Sequence, residues 1–197
     1  MIYQNPKYLK SVNMNGKEKD TNILNEIAKL EKTHGKFFNT QKILLATDGS
    51  VTTILDVLHG KISIKTLVQE FEKADEKLAK LLNIKVNDDV NYRVVLMHKD
   101  DKPLIHAISY IPLDRLDDNF KRDLIMADMP IGRILRKYNI ESRREVNNVA
   151  IEKTNNDLME LFNSNADLLT RDYNIIRNDE VLIWIKEAFP LDYFSKQ

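Results

Sequence analysis

Two charged side chains interrupt otherwise apolar runs: Arg93 lies between Tyr92 and Val94-Val95-Leu96, and Glu187 between Ile185 and Phe189. A charge placed among β-branched and aromatic residues sits either on the wet face of a strand or on an inner face, where it must be paired. If both side chains point to one side of one sheet, they make a polar constellation in an apolar pocket. The guanidinium would hold an anion and the carboxylate would orient a hydroxyl. A solvated strand face and a structural ion pair are the competing readings, and the period of the pattern does not choose between them. Two helix starts add backbone donors. Ser50 precedes Val51-Thr52 and Pro130 precedes Ile131-Gly132, so the N–H groups of Val51 and Ile131 fall in first turns that have no intrahelical acceptor. Each is also compatible with an ordinary helix cap, and Gly132 with close helix packing.

The remaining residues narrow the chemistry. The histidines at 34, 59, 98 and 106 show no ligand spacing, and His106, alone within a strand pattern, reads as a packed or hydrogen-bonded residue. The acidic loop of Asp114, Asp117 and Asp118 lacks the spacing and glycine of a calcium loop, so no metal is expected. Arg143-Arg144-Glu145 reads as a surface charge run, with Arg143 or Arg144 as an alternative second anion contact. There is no cysteine, no Gly-rich phosphate loop and no activated-serine motif. Thirty basic residues balance thirty acidic ones, which leaves no positive field to gather nucleic acid or an anionic membrane. No apolar run approaches a membrane span and no signal peptide is evident, so a cytoplasmic location is expected.

The elements that must position these residues follow from periodicity. Residues 1–20 are polar and read as a loosely ordered leader, with Tyr3 and Tyr8 as candidates for a lid; residues 21–197 read as one domain. Three short helices are expected from Thr21, Thr40 and Ser50. Lys61–Lys65 alternates as a strand, Thr66–Phe71 is ambiguous, and Ala74–Leu82 is helical. Val90–Met97 and Leu104–Ile111 flank a charged turn as a hairpin. Arg171–Arg177 and Val181–Phe189 flank Asn178-Asp179 in the same way. Helices are expected from Asp117 or Asp118, with Pro130 as the first residue of another, and within Asn156–Phe162. A strand is expected through Val146–Ile151. Antiparallel hairpins mixed with helices define an α+β fold, with no internal repeat evident.

The blocks Leu44-Leu45-Ala46-Thr47-Asp48-Gly49-Ser50-Val51-Thr52, Tyr92-Arg93-Val94-Val95-Leu96, Pro103–Pro112, Pro130-Ile131-Gly132-Arg133-Ile134-Leu135 and Ile185-Lys186-Glu187-Ala188-Phe189-Pro190 together resemble a diverged branch of the chorismate lyase (chorismate pyruvate-lyase) family over about residues 40–193. That resemblance implies a six-stranded antiparallel sheet flanked by helices and enclosing a small internal ligand cavity. It implies a cofactor-independent carbon–oxygen lyase that eliminates pyruvate from chorismate to give 4-hydroxybenzoate. It further implies that Arg93 binds a ligand carboxylate, that Glu187 is the acid/base or hydroxyl-orienting group, and that backbone N–H groups of Val51 and Ile131 complete the site. Three departures bear on the substrate: Val51 stands where the bacterial ubiquinone-pathway enzymes tend to carry methionine, Lys153–Leu169 is an insertion, and Ile108 stands where they carry a basic residue. Asp75–Leu113 also resembles the effector-binding domain of GntR-type regulators, of the same superfamily. The alternatives are therefore a non-catalytic domain binding aromatic carboxylates, or a lyase for a related enolpyruvyl compound. The partner in each case is a small molecule, and the oligomeric state is not legible.

Overall fold

Two tight hairpins organise the sheet. In the computed structural model, which describes residues 23–126 and 128–195, β2 (Asp89–Lys99) and β3 (Lys102–Pro112) are joined across Asp100-Asp101, and β5 (Leu168–Arg177) and β6 (Glu180–Pro190) across Asn178-Asp179. Asp100, Asn178 and Asp179 have φ of 51°, 51° and 61°, the left-handed values that two-residue hairpin turns demand and that Asn and Asp tolerate best among residues with a Cβ. Each hairpin is extended by a further antiparallel strand, β1 (Ser63–Lys73) beside β2 and β4 (Arg143–Glu152) beside β5. The six strands run in the order β1-β2-β3-β6-β5-β4, so β3 against β6 is the seam between two three-stranded halves.

Those halves are the same unit used twice. Each has two helices, a strand, a short helix and a hairpin. The first comprises α2 (Asn39–Ala46), α3 (Val51–His59), β1, α4 (Glu76–Leu82), β2 and β3. The second comprises α5 (Asp118–Met126), α6 (Ile131–Lys137), β4, α7 (Asn156–Phe162), β5 and β6. The likeness extends to irregularities. A bulge falls between Thr66 and Val68 in β1 and between Val146 and Asn148 in β4. Asp75 caps α4 by accepting from the Leu78 N–H at 2.8 Å, and Asn155 caps α7 by accepting from the Leu158 N–H at 2.9 Å. Both helices end on a left-handed asparagine, Asn83 or Asn163. The expectation of no internal repeat is thus corrected. The repeat escapes inspection of the sequence because most of it survives as chemical equivalents, such as Asp75 for Asn155, with few identities. Among these are Glu72-Lys73 with Glu152-Lys153, Leu78 with Leu158, and Leu104-Ile105 with Leu182-Ile183. At the seam Ile108 pairs with Lys186, its own counterpart, so the pseudo-two-fold axis passes between them.

Strand side chains alternate between two faces. On the inner face, α1 (Ile23–His34), α2 and α3 bury Leu44, Leu45 and Leu55 against Val95, Ile105 and Phe189, while α5 and α6 bury Phe120, Leu124 and Ile134 against Ile111, Ile175 and Ile183. Each such fully buried side chain contributes about 1.5–3 kcal/mol of transfer free energy. On the outer face, α4 packs on Tyr92, Ile108, Tyr110 and Trp184, and α7 on Leu168 and Ala188. Ile108 therefore faces away from the inner side, where its difference from the bacterial enzymes touches no inner-face group.

Several boundaries differ from expectation. β1 runs on through the ambiguous Thr66–Phe71, its bulge absorbing the break in alternation. Helix α2 starts one residue earlier than Thr40, after Phe38, whose N–H donates to the Gln41 side chain at 2.9 Å. Pro130 sits just outside α6 as its N-cap, with extended backbone, instead of as its first residue. The leader 1–20, with Tyr3 and Tyr8, lies outside the described residues. No described helix is long and apolar enough to cross a membrane.

Candidate active site

The two clusters of the inner face leave a cavity between them, over the seam. Its open centre measures about 40 Å3. The starts of α3 and α6 form its roof, contributing Ser50-Val51-Thr52 and Pro130-Ile131-Gly132. Val51 and Ile131 are counterparts in the two halves, so the pair of first-turn N–H groups anticipated from sequence flanks the pseudo-two-fold axis. Ser50 caps α3 by accepting from the Thr53 N–H at 3.3 Å. The floor is the sheet: Arg93, Val95 and Met97 from β2, Ala107 and Ser109 from β3, Ile185 and Glu187 from β6.

Arg93 and Glu187, picked out as charges within apolar strands, thus line one cavity, and both are almost wholly buried, at 1% and 3% exposed. They do not pair with each other. The Arg93 guanidinium donates to the Met129 carbonyl at 3.3 Å and to Thr66 Oγ1 at 3.2 Å. Burial holds its pKa below the usual arginine value, with Asp128 opposing that shift. Glu187 accepts from Arg171 Nε at 2.7 Å and from the Tyr173 hydroxyl at 3.2 Å. Arg171 in turn donates through Nη1 to the Thr47 carbonyl at 2.7 Å and lies 4.7 Å from the centre of the Tyr173 ring. Burial acts to lower the Arg171 pKa, but Glu187 and Tyr173 outweigh it and the net shift is upward. Burial, then Glu187, drive the Tyr173 phenol well above its ordinary range, so at neutral pH it is a proton donor to the carboxylate. A carboxylate offers about four acceptor sites, of which these donors occupy two. Glu187 therefore retains capacity to receive a ligand hydroxyl.

Sequence reasoning missed Arg171 and Tyr173. They sit in the polar-looking stretch Arg171-Asp172-Tyr173-Asn174, whose alternate members face opposite sides of the sheet. A signal was available: counting outward from the turn at Asn178-Asp179 brings Arg171 opposite Glu187 to within one residue, and the register pairs them. The run Arg143-Arg144-Glu145, read as surface, divides. Arg143 is exposed and pairs with Glu145 at 3.0 Å and Asp179 at 3.2 Å, whereas Arg144 lines the cavity. His106 lies on the outer face, 6% exposed, and burial lowers its pKa to about 4.

Comparisons with known proteins agree with this architecture. Residues 45–196 match the family model described as chorismate pyruvate-lyase Rv2949c-like. The chain is 39% identical over 174 residues to a protein of Methanocaldococcus jannaschii named "Putative lyase MJ0807", covering 85% of this chain and 86% of that one. Among solved structures, the effector domain of PhnF from Mycobacterium smegmatis aligns with a TM-score of 0.65 at 14% identity, over 76% of this chain and 93% of that domain. Against the longer PhnF chain the TM-score is 0.63 at 14% identity, over 74% of this chain, which spans only 65% of that one. A GntR-family transcriptional regulator from Bacillus cereus gives 0.54 at 17% identity, over 69% and 96% of the two chains. These structural likenesses extend to the fold, while the sequence match runs across most of the chain and includes every block that lines the cavity. The chain belongs to the Rv2949c-like chorismate pyruvate-lyase family.

Proposed function

We propose that the protein is a lyase that eliminates pyruvate from chorismate to give 4-hydroxybenzoate, using no cofactor. The observation that carries this reading is the placement of Arg93 and Glu187 in one buried cavity beneath two helix starts. In the reaction the bond from the ring to the enolpyruvyl oxygen breaks, the carbon bearing the hydroxyl loses its proton, and the ring becomes aromatic. The departing enolpyruvate takes up a proton at its methylene carbon to become pyruvate. Aromatisation supplies the driving force, so the protein has chiefly to orient the ring and stabilise shifting negative charge.

Arg93 anchors a ligand carboxylate, and first-turn N–H groups of Val51 and Ile131 add hydrogen bonds to the anion. Glu187, held by Arg171 and Tyr173, receives the ring hydroxyl and stands beside the carbon that loses its proton, as orienting group or base. The test is incubation of the purified protein with chorismate, following 4-hydroxybenzoate by absorbance and pyruvate by a coupled assay. Equal formation of both products, lost in Arg93→Ala, is expected. A second reading, a binding domain without turnover, is favoured by the fold shared with the PhnF effector domain. Saturable binding of hydroxybenzoates without product would replace the lyase reading with it.

A further inference from the structure

The cavity contains a second arginine to which the lyase reading gives no task. Arg144 stands near the start of β4, opposite Ile175, and both line the cavity. Its Nε is buried and has no hydrogen-bond partner among the described residues. The nearby acids are engaged elsewhere, Glu145 and Asp179 with Arg143, and Glu187 with Arg171. Arg144 as a whole is half-buried, but its Nε–H is shut off from water with nothing to accept it, which is costly and is relieved by a ligand that completes the guanidinium. Nor does the scaffold require it, because its counterpart in the first half is Ile64, an apolar residue that lines the same cavity.

The surroundings are shaped to leave the group accessible. A Cβ built on Gly132 would lie 3.2 Å from Ser50 Oγ and 3.7 Å from Arg144 Nη2, so the missing side chain keeps open the corner where Ser50, Arg144 and the start of α6 converge. The position relative to Arg93 is also telling. Arg93 is on β2 and Arg144 on β4, with β3, β6 and β5 between them. Four strand steps of about 4.8 Å set their backbones roughly 19 Å apart along the sheet, with Glu187 on the strand midway. Two long side chains reaching inward from opposite walls bracket an object the size of a substituted six-membered ring.

We propose that Arg144 is a second carboxylate anchor that selects dicarboxylates, with one carboxylate directed to Arg93, the other to Arg144, and a hydroxyl between them at Glu187. This rests on the lyase reading for the identity of the ligand, in which Arg144 takes the carboxylate of the departing enolpyruvyl arm. It is tested by calorimetric titration of wild type, Arg144→Gln and Arg144→Lys with two probes, 4-hydroxybenzoate, which has one carboxylate, and 3-(carboxymethoxy)benzoate, which has two. Arg144→Gln should weaken the dicarboxylate at least about tenfold and the monocarboxylate less than about twofold, and Arg144→Lys should recover part of the loss. Equal weakening of both probes, or of neither, would overturn the assignment, as would a wild type that binds the dicarboxylate no better than the monocarboxylate. A wild type that releases no pyruvate from chorismate would sink the lyase reading alone, since the contrast between probes is read from binding.

Discussion

The two halves of the sheet present the same scaffold with different charges. In the first half Arg93 on β2 faces Ser109 on β3; at the corresponding place in the second, Arg171 on β5 faces Glu187 on β6. Two differences, serine against glutamate and Thr66 against Val146, separate the fates of two equivalent arginines. Arg171 spends its charge on a carboxylate of the fold, and Arg93 donates to the neutral oxygens of Thr66 and Met129 at the cavity wall. The repeated unit thus gives a two-fold cavity, and a few asymmetric substitutions put Arg93 at one end of it and Glu187 near its centre. Arg144, whose counterpart is Ile64, is a further asymmetry of this kind.

The comparison can be broken most severely at Glu187. Glu187→Ser gives the second half the Arg/Ser pair of the first, but without the oxygens that serve Arg93. It should cost about 3–5 kcal/mol in urea denaturation because Arg171 is left buried without its carboxylate. The double variant Arg171→Met with Glu187→Met removes both charges and should recover most of that loss. A double variant as unstable as the single would show that the loss does not come from the stranded charge of Arg171.

A smaller effect distinguishes the outer faces, where His106 has Trp184 as its counterpart. Burial lowers the His106 pKa from 6.5 to about 4, so between those values the unfolded chain binds a proton that the folded chain does not. Stability contributed by neutral His106 is therefore fully present above about pH 6.5 and falls with pH by roughly 3 kcal/mol as pH 4 is approached. His106→Leu should flatten that part of the stability profile, measured by denaturation between pH 4 and 7. Parallel profiles for the two proteins would remove His106 as its source.

The smallest effect is expected at Gly132, the counterpart of Thr52. In Gly132→Ala the better helix propensity offsets the tight 3.2 Å approach to Ser50 Oγ, leaving stability within about 1 kcal/mol. Its methyl group enters the corner beside Arg144, so affinity for a dicarboxylate should fall several-fold in titration. Unchanged affinity would place the ligand away from that corner.

Much of this architecture was legible beforehand. The hairpins declared themselves through short turns of residues that tolerate left-handed backbone, and most helices through caps and apolar period. Arg93 and Glu187 stood out because charge is expensive in an apolar strand, and Val51 and Ile131 because helix starts leave donors unmet. What escaped notice depended on which strand lies beside which. Arg171 and Arg144 belong to stretches whose other charges face solvent or the outer side of the sheet, and only register divides them. The repeat was hidden for a related reason, since caps, bulges and turns conserve a chemical role that several residue types fill.

The seam between β3 and β6 also has a bearing on how the chain acquires its cavity. Pairings within each half link strands that follow one another closely, but the seam joins Ser109 to Ile185 across most of the second half. Closing such a distance costs more entropy than closing a two-residue hairpin, which places the seam among the late events of folding. Arg93 belongs to one half and Glu187, Arg171 and Arg144 to the other. The cavity is therefore lined by both halves and is closed only where they meet.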